Sequence, residues 1–211
     1  MLLKSSRQNR LIVFDFDGTL VDSFDMHFEL MGRALLRYKK YKVTKKEYLE
    51  AFNVNPWHYW IKKLKLNKIQ TFILVYFVGK ETRKNYPKAE FFPGIVDVIL
   101  KLSKNNSLAI VSSTPKKSIV GKLKEAKLDK YFKIILGAEA GLSKVKKFNK
   151  LKKKYSDLVF ITDTVGDVRE AKACGLKTGA VAWGWHSLSK LKNATPDYVF
   201  KKPSDIKSLF G

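Results

Sequence analysis

The chain has 211 residues, 45% of them hydrophobic, so it can form one folded domain of ordinary size or a core with a modest insertion, and disorder is not expected. Its single cysteine, Cys174, excludes an intramolecular disulfide and a cysteine-rich zinc site and is typical of a reducing cytoplasm. The formal net charge is +23, but it comes mostly from lysines spread along the whole chain, which favours a solvated surface over a nucleic-acid-binding groove.

Neither export nor membrane insertion is expected from the sequence. The basic segment from Met1 to Arg10 lacks the apolar region of a secretory signal. The most apolar stretch, Ile69 to Gly79, is far shorter than the roughly 20 residues that a membrane-spanning helix needs. We therefore expect a cytoplasmic protein with no membrane partner.

The first predicted element is a buried β-strand from Leu11 to Phe14, because its large apolar residues are continuous, as in strands buried on both faces. Asp15 and Asp17 follow it, and on an extended backbone side chains two positions apart leave on the same face. Gly18 then ends the strand. Two like charges at this place repel each other and lose solvation unless a cation or a hydrogen-bonding substrate lies between them, so we expect a functional site here.

Residues 22–90 have only helical patterns, which predicts a small all-α helical cap domain. The predicted helices run from Phe24 to Tyr41, from Thr44 onward, from Trp57 to Leu66 and from Lys68 to about Tyr86. Thr44 and Glu47 have the spacing of a capping box, Pro56 suits the start of the third helix, and Asn67 can cap the fourth.

Helices and short strands alternate from Phe92 onward, beginning with a Pro93-Gly94 junction and a helix from Ile95 to about Ser103. The predicted strands are Leu108 to Ser112, Lys133 to Leu136, Leu158 to Thr162, Thr178 to Val181 and Tyr198 to Phe200. Such alternation predicts an α/β fold with a Rossmann-like parallel sheet core, formed by residues 1–21 and 91–211. Ligands of such sheets bind beyond the carboxyl ends of the strands.

The strand that begins at Leu108 leads into Ser112, Ser113, Thr114 and Pro115. We expect Thr114 to act as the N-cap and Pro115 to occupy the first position of the next helix. The free backbone N–H groups of a helix start can bind an anion.

Lys144 opens a further helix, in which Val145, Phe148 and Leu151 recur at helical spacing. We expect the lysines of this segment to form its solvated face. Taken alone, Lys144 is one surface charge among many.

A second apolar strand, beginning at Leu158, also ends in carboxylates, at Asp163 and Asp167. Oxygen ligands from separate strand ends suit Mg²⁺, which takes one or two carboxylates together with water and substrate phosphate oxygens. The sequence therefore predicts a magnesium site at these strand ends.

The segment Asp15-Phe16-Asp17-Gly18-Thr19-Leu20, followed in order by Ser112, Lys144 and the Asp163 to Asp167 segment, resembles the haloacid dehalogenase superfamily. The helical insertion and the final segments around Ala182 to His186 and Pro196 to Val199 resemble its phosphoglycolate phosphatase-like members. The resemblance implies that Asp15 is the nucleophile and Asp17 the general acid and base. It also implies that Asp15, the Asp17 backbone carbonyl and Asp163 hold Mg²⁺ directly and that Asp167 supports the ion from a second shell or through water. Ser112, Ser113 and Lys144 bind the phosphoryl group in this resemblance.

The function implied is that of a phosphoric monoester hydrolase, a Mg²⁺-dependent phosphatase acting on a small phosphorylated metabolite through an aspartyl-phosphate. His27, Trp57 and His58 of the helical cap are candidate substrate contacts. A sugar-phosphate mutase of the same superfamily is an alternative, because such mutases carry a histidine at the place of His27, although this chain lacks the arginine of their lid loop. A nucleic-acid-binding or 3′-phosphate-processing protein is the other alternative. The pattern specifies no oligomeric state.

Overall fold

A parallel sheet of six strands lies at the centre of the computed structural model, which describes residues 10–211. Residues 1–9, which hold most of the segment examined for a secretory signal, lie outside the described residues. The strands are β1 (Arg10–Phe14), β2 (Val21–Asp22), β3 (Glu90–Phe91), β4 (Ser107–Val111), β5 (Phe132–Leu136), β6 (Asp157–Thr162), β7 (Lys177–Val181) and β8 (Tyr198–Phe200). The sheet order is β5-β4-β1-β6-β7-β8. The predicted α/β class is therefore confirmed.

Strand β1 is central and has apolar layers on both of its faces. Leu11 and Val13 belong to one hydrophobic cluster, and Ile12 and Phe14 belong to another. The continuous apolar run thus arises because alternate residues face different layers of helices. Strands β4 and β6 pair with β1 in parallel on either side, so the ends of these three strands lie together.

Ten α-helices complete the described part of the chain. They are α1 (Phe24–Lys39), α2 (Lys45–Ala51), α3 (Pro56–Lys63), α4 (Lys68–Asn85), α5 (Ile95–Leu102), α6 (Lys116–Glu125), α7 (Lys144–Lys152), α8 (Val165–Ala173), α9 (Leu188–Lys192) and α10 (Pro203–Phe210). No helix within residues 10–211 is both long enough and apolar enough to cross a membrane.

The four predicted helices are present as α1 to α4. They lie between β1 and β4, the first two strands of the six-stranded sheet along the chain, and we call them the cap. Helix α1 ends at Lys39 because Lys40 adopts a left-handed conformation, with φ of 54°. Thr44 accepts from the Glu47 N–H, but the Glu47 side chain pairs with Tyr41 and Lys63 instead of completing the capping box. The predicted bond to the Thr44 side chain is confirmed. The predicted return bond, from the Thr44 N–H to the Glu47 side chain, is wrong.

The structure corrects two further predictions. Helix α6 begins at Lys116 with Pro115 as its N-cap, so Thr114 is not the cap. Two lysines of α7, Lys144 and Lys147, are buried and do not belong to its solvated face. The sequence pattern failed here because a lysine that pairs with buried acceptors can replace an apolar residue on the inner face of a helix.

The short antiparallel pair formed by β2 and β3 was not predicted. These strands lie where the chain leaves the core for the cap and where it returns. The predicted domain limits, residues 22–90 for the cap and residues 1–21 and 91–211 for the core, fall at this pair and stay a prediction.

Hydrogen bonds join the cap segment 49–55 to the core, and we call this set the cap latch. Its bonds run from Gly166 N to Phe52 O (2.8 Å), Arg169 Nη1 to Asn53 O (3.2 Å), His186 Nε2 to Leu49 O (2.9 Å) and Asn55 Nδ2 to Leu142 O (3.1 Å). A Cβ on Gly166 would lie 2.4 Å from the Val54 carbonyl oxygen, so only glycine allows this approach.

His186 can take its place in the latch only as a neutral imidazole. It is 2% exposed, and its Nδ1 accepts from the Val165 N–H (3.1 Å) while Nε2 donates to Leu49. A neutral ring has one donor and one acceptor, which this arrangement uses completely. Burial lowers the pKa of His186 to about 4.

Acidification should therefore weaken the folded state through His186. The unfolded chain takes up a proton below a pH of about 6.5, whereas the folded chain does so only near its lowered pKa, so about 2 kcal/mol of unfolding free energy should be lost between pH 7.5 and 5. Urea unfolding at both pH values measures this loss. In His186→Gln the loss should be smaller by that amount, and an equal loss in both proteins would contradict the assignment.

Candidate active site

The acidic residues predicted from the sequence lie together at the carboxyl ends of β1 and β6. Asp15 follows β1, and its N–H donates to the Ile161 carbonyl of β6 (2.8 Å). Asp163 follows β6, and it is fully buried. The parallel pairing of the two strands therefore places both carboxylates at one edge of the sheet.

Lys144 lies between two of these carboxylates. Its Nζ donates to Asp15 Oδ2 (2.7 Å) and to Asp167 Oδ2 (2.6 Å), and the lysine is only 4% exposed. Burial acts to lower the pKa of Lys144, but the two carboxylates outweigh it and raise that pKa. The ammonium group therefore stays charged. The structure brings Lys144 into the site, although the sequence alone did not separate it from its lysine neighbours.

The pKa values of the two acids that contact Lys144 are shifted in opposite directions. Burial acts to raise the pKa of Asp167, but Lys144 and further donors outweigh it and lower that pKa. Burial raises the pKa of Asp15, and the neighbouring Asp167 and Asp163 charges add to the effect. The ammonium group of Lys144 thus compensates the charge of Asp167, and Asp15 has no positive charge that it does not share.

Asp163 is held against the Asp17-Gly18-Thr19 turn. Its Oδ1 accepts from the Thr19 hydroxyl (3.0 Å), and its Oδ2 accepts from the Trp185 N–H (2.8 Å). Gly18 has φ of +71°, and a Cβ there would lie 2.1 Å from Asp163 Oδ2, so glycine is required. Burial raises the pKa of Asp163 to about 7.

Asp17 lies in a ring of hydrogen-bond donors. The donors are Ser23 Oγ (2.7 Å), His27 Nε2 (2.8 Å) and the Tyr86 hydroxyl to Oδ1, with Thr114 Oγ1 (2.7 Å) and Ser112 Oγ (3.4 Å) to Oδ2. Burial acts to raise the pKa of Asp17, but His27 and the hydroxyl donors outweigh it and hold that pKa well below its usual range. Asp17 is therefore a carboxylate in this arrangement.

Some residues of the site were missed by the sequence reasoning. Thr114, which we expected to be a helix cap, donates instead to Asp17, and Tyr86 reaches Asp17 from the end of the cap. Lys147 donates to the Ser112 carbonyl (2.6 Å), and burial together with nearby Lys144 lowers its pKa to about 8. The spacing of Lys144 and Lys147 was the available signal, because residues three apart share a face of a helix.

A cavity lies between the cap and the strand ends, and it contains most of the predicted site residues. Those lining it are Asp15, Asp17, His27, Trp57, Ser112, Ser113, Lys144 and Asp167. His58 is exposed on the outer side of α3 and does not line this cavity. Asp163 lies behind its wall, against Gly18.

The donor set fits a divalent cation, although no group of three or more His, Cys, Asp or Glu side chains within residues 10–211 could hold a metal ion by itself. Asp15 and Asp163 are buried, the Asp167 side chain is 13% exposed, and these three carboxylates lie near the ammonium group of Lys144. If all three ionise, two negative charges are uncompensated, and Mg²⁺ supplies two positive charges. The predicted set, two carboxylates with a backbone carbonyl and water, is also the oxygen chemistry that Mg²⁺ prefers.

Comparisons with known proteins agree with this architecture. A family model described as haloacid dehalogenase-like hydrolase matches residues 12–181. The phosphoglycolate phosphatase of Synechococcus elongatus is 26% identical over 202 residues, covering 92% of this chain and 94% of that protein. A pyrophosphatase of Anoxybacillus flavithermus is 26% identical over 208 residues, covering 95% of this chain and 96% of that protein. The crystal structure of a hydrolase from Pseudomonas syringae has a TM-score of 0.79 at 19% identity, covers 93% of this chain and 95% of its own, and agrees in fold.

Removing the ammonium group of Lys144 should destabilise the protein. Lys144→Met leaves buried Asp15 and largely enclosed Asp167 without their partner, and breaking a buried pair on one side costs about 3–5 kcal/mol of unfolding free energy. Lys146→Met is the matched control, because Lys146 is exposed on the same helix and its loss should cost less than about 0.5 kcal/mol. Urea unfolding without added metal compares them, and equal stability of the two variants would contradict the assignment.

Proposed function

Because the chain belongs to the haloacid dehalogenase-like hydrolase family, we propose that it is a Mg²⁺-dependent phosphatase that hydrolyses a small phosphomonoester through an aspartyl-phosphate on Asp15. The observation that carries this proposal is the contact of Asp15 with Lys144, beside Asp17 and in a cavity lined with hydroxyl groups. A buried carboxylate paired with an ammonium group is suited to attack phosphorus, because the ammonium group compensates the charge of the phosphoryl oxygens.

In the first step, Asp15 attacks phosphorus in line, so that a bond from its carboxylate oxygen to phosphorus forms as the ester P–O bond breaks. The leaving alkoxide takes a proton from Asp17 and departs as an alcohol. In the second step, water attacks the aspartyl-phosphate and gives a proton to Asp17, which releases inorganic phosphate and restores both acids.

Asp17 must change its protonation between the two steps. The carboxylate form of Asp17 takes a proton from water, and donating a proton to the alkoxide requires the acid form. The donors around Oδ1 and Oδ2 stabilise the carboxylate, so some of these bonds have to lengthen when the ester is bound. His27, Tyr86 and Ser23 belong to the cap or its junction, and movement of the cap would change them together.

Other side chains of the cavity bind the phosphoryl group in this proposal. Ser112 and Ser113 follow β4 and line the cavity opposite Asp15, and Lys144 reaches the same space. Lys147 fixes the Ser112 carbonyl, which orients this segment. These groups position the phosphoryl oxygens for in-line attack.

The chain would hold Mg²⁺ through Asp15, the Asp17 backbone carbonyl and Asp163, with Asp167 in support. When bound, the ion supplies positive charge to the phosphoryl oxygens. It also favours the ionised form of Asp15, whose pKa is otherwise raised by burial. A cytoplasmic location, expected from the single cysteine, belongs to the same proposal.

The two alternatives drawn from the sequence gain no support from the cavity. The mutases have an arginine in the lid loop, and no arginine of residues 10–211 lines this cavity. A polynucleotide would need cations along its path, whereas Lys144 is the one lysine among the lining residues of that range. A phosphatase for small esters is therefore favoured.

Asp15→Asn should reduce Mg²⁺-dependent phosphate release by at least about 1,000-fold, because an amide cannot act as the nucleophile. Phosphate release from p-nitrophenyl phosphate measures the loss, and chelation of Mg²⁺ should abolish the wild-type rate. Asp97→Asn, at an exposed aspartate of α5, is the matched control and should keep the wild-type rate. Retention of the rate in Asp15→Asn would contradict the proposed nucleophile.

A further inference from the structure

The cavity wall contributed by the cap is almost entirely apolar. The cap residues that line it are Met31, Tyr48, Phe52, Pro56, Trp57, Trp60, Val75, Val78, Gly79 and Thr82, together with His27. Trp185 and Leu142 of the core continue this surface. Among these residues His27 is the one that can carry a positive charge.

Within residues 10–211, the side chains of the cavity that can carry a positive charge already have partners. Lys144 donates to Asp15 and Asp167, and His27 donates to Asp17. A leaving group with its own carboxylate or second phosphate would therefore enter a buried apolar wall without a free positive charge. Burying an unpaired charge is costly, and the energy lost would appear as a lower kcat/KM.

Two neutral donors in the wall lack acceptors. Trp60 Nε1 and Trp185 Nε1 are buried, and neither has a hydrogen-bond partner within the described residues. Both tryptophans line the cavity. Neither N–H group is exposed, and an indole N–H supplies no formal charge to an anion.

We propose that the preferred substrate is the phosphate ester of an uncharged, largely apolar alcohol with a ring or similarly bulky skeleton, and not phosphoglycolate or pyrophosphate. The inference rests on the proposed phosphatase function, because it concerns the leaving group of that reaction. The floor of the cavity binds the phosphoryl group, and the aromatic wall binds the alcohol by apolar contact.

Two esters test the inference directly. Phosphoglycolate and 2-phenylethyl phosphate both release a primary alcohol. A difference between their kcat/KM values therefore reflects how the cavity wall binds each alcohol more than the reactivity of each ester bond. With Mg²⁺ present, kcat/KM for 2-phenylethyl phosphate should exceed that for phosphoglycolate by at least about tenfold. In the wild-type protein 2-phenylethanol should also inhibit competitively at concentrations where glycolate does not.

A positive charge placed in the wall should weaken this preference. Val75 of α4 is half-buried and lines the cavity, so Val75→Lys should lower the ratio of the two kcat/KM values by about tenfold. Phe72→Lys is the matched control, because it adds the same charge to an exposed position of the same helix and should leave the ratio unchanged.

The outcomes separate the inference from the function on which it rests. Equal or faster hydrolysis of phosphoglycolate or pyrophosphate would overturn the inference and leave the phosphatase in place. An unchanged ratio in a folded Val75→Lys variant would overturn the assignment to the cap wall. Absence of Mg²⁺-dependent hydrolysis for all of these compounds and for p-nitrophenyl phosphate would contradict the proposed function, and the inference with it.

Discussion

The rest of the site depends on one electrostatic constraint, the clustering of three carboxylates, two of them buried, beside the ammonium group of Lys144. Lys144 compensates Asp167 and contacts Asp15, while Asp163 lies behind them with no ion-pair partner among the described residues. Strands or turns hold each carboxylate in place, and Gly18 provides the close approach that Asp163 needs. Such an arrangement favours the binding of a cation and of a phosphoryl group between them, since both relieve charges that the protein alone leaves unbalanced.

Much of this arrangement could be predicted because it follows from strand chemistry. An apolar run that ends in acids indicates an interior strand carrying charge to a sheet edge, and both β1 and β6 have that form. Parallel pairing then brings Asp15 and Asp163 to the same edge without further information. Helix starts at Pro56 and Asn67 were also predictable, because local capping and proline geometry decide them.

The residues that the sequence did not reveal are those whose partners are distant in the chain. Tyr86 and Thr114 meet Asp17 only because the cap and the core fold against each other. Burial of Lys147 and the neutral state of His186 depend on acceptors supplied by other elements. The cavity wall was equally hidden, since aromatic residues at helical spacing pack into a core as readily as they line a ligand. The sequence shows that such residues are present, but their roles depend on contacts with residues that are distant in the chain.

The cap latch uses mostly backbone carbonyl groups of the cap, at Leu49, Phe52 and Asn53. A carbonyl oxygen is present whatever side chain its residue carries, so docking places few demands on the identity of the amino acids around it. The hydrogen bonds of the cap latch are therefore largely independent of the wall side chains, whereas Tyr48 and Phe52 of the wall also pack against Trp185 of the core. Natural variants could replace a tryptophan or valine of that wall and so accept new substrates. The hydrogen bonds of the cap latch would still hold the cap against the core in the same orientation.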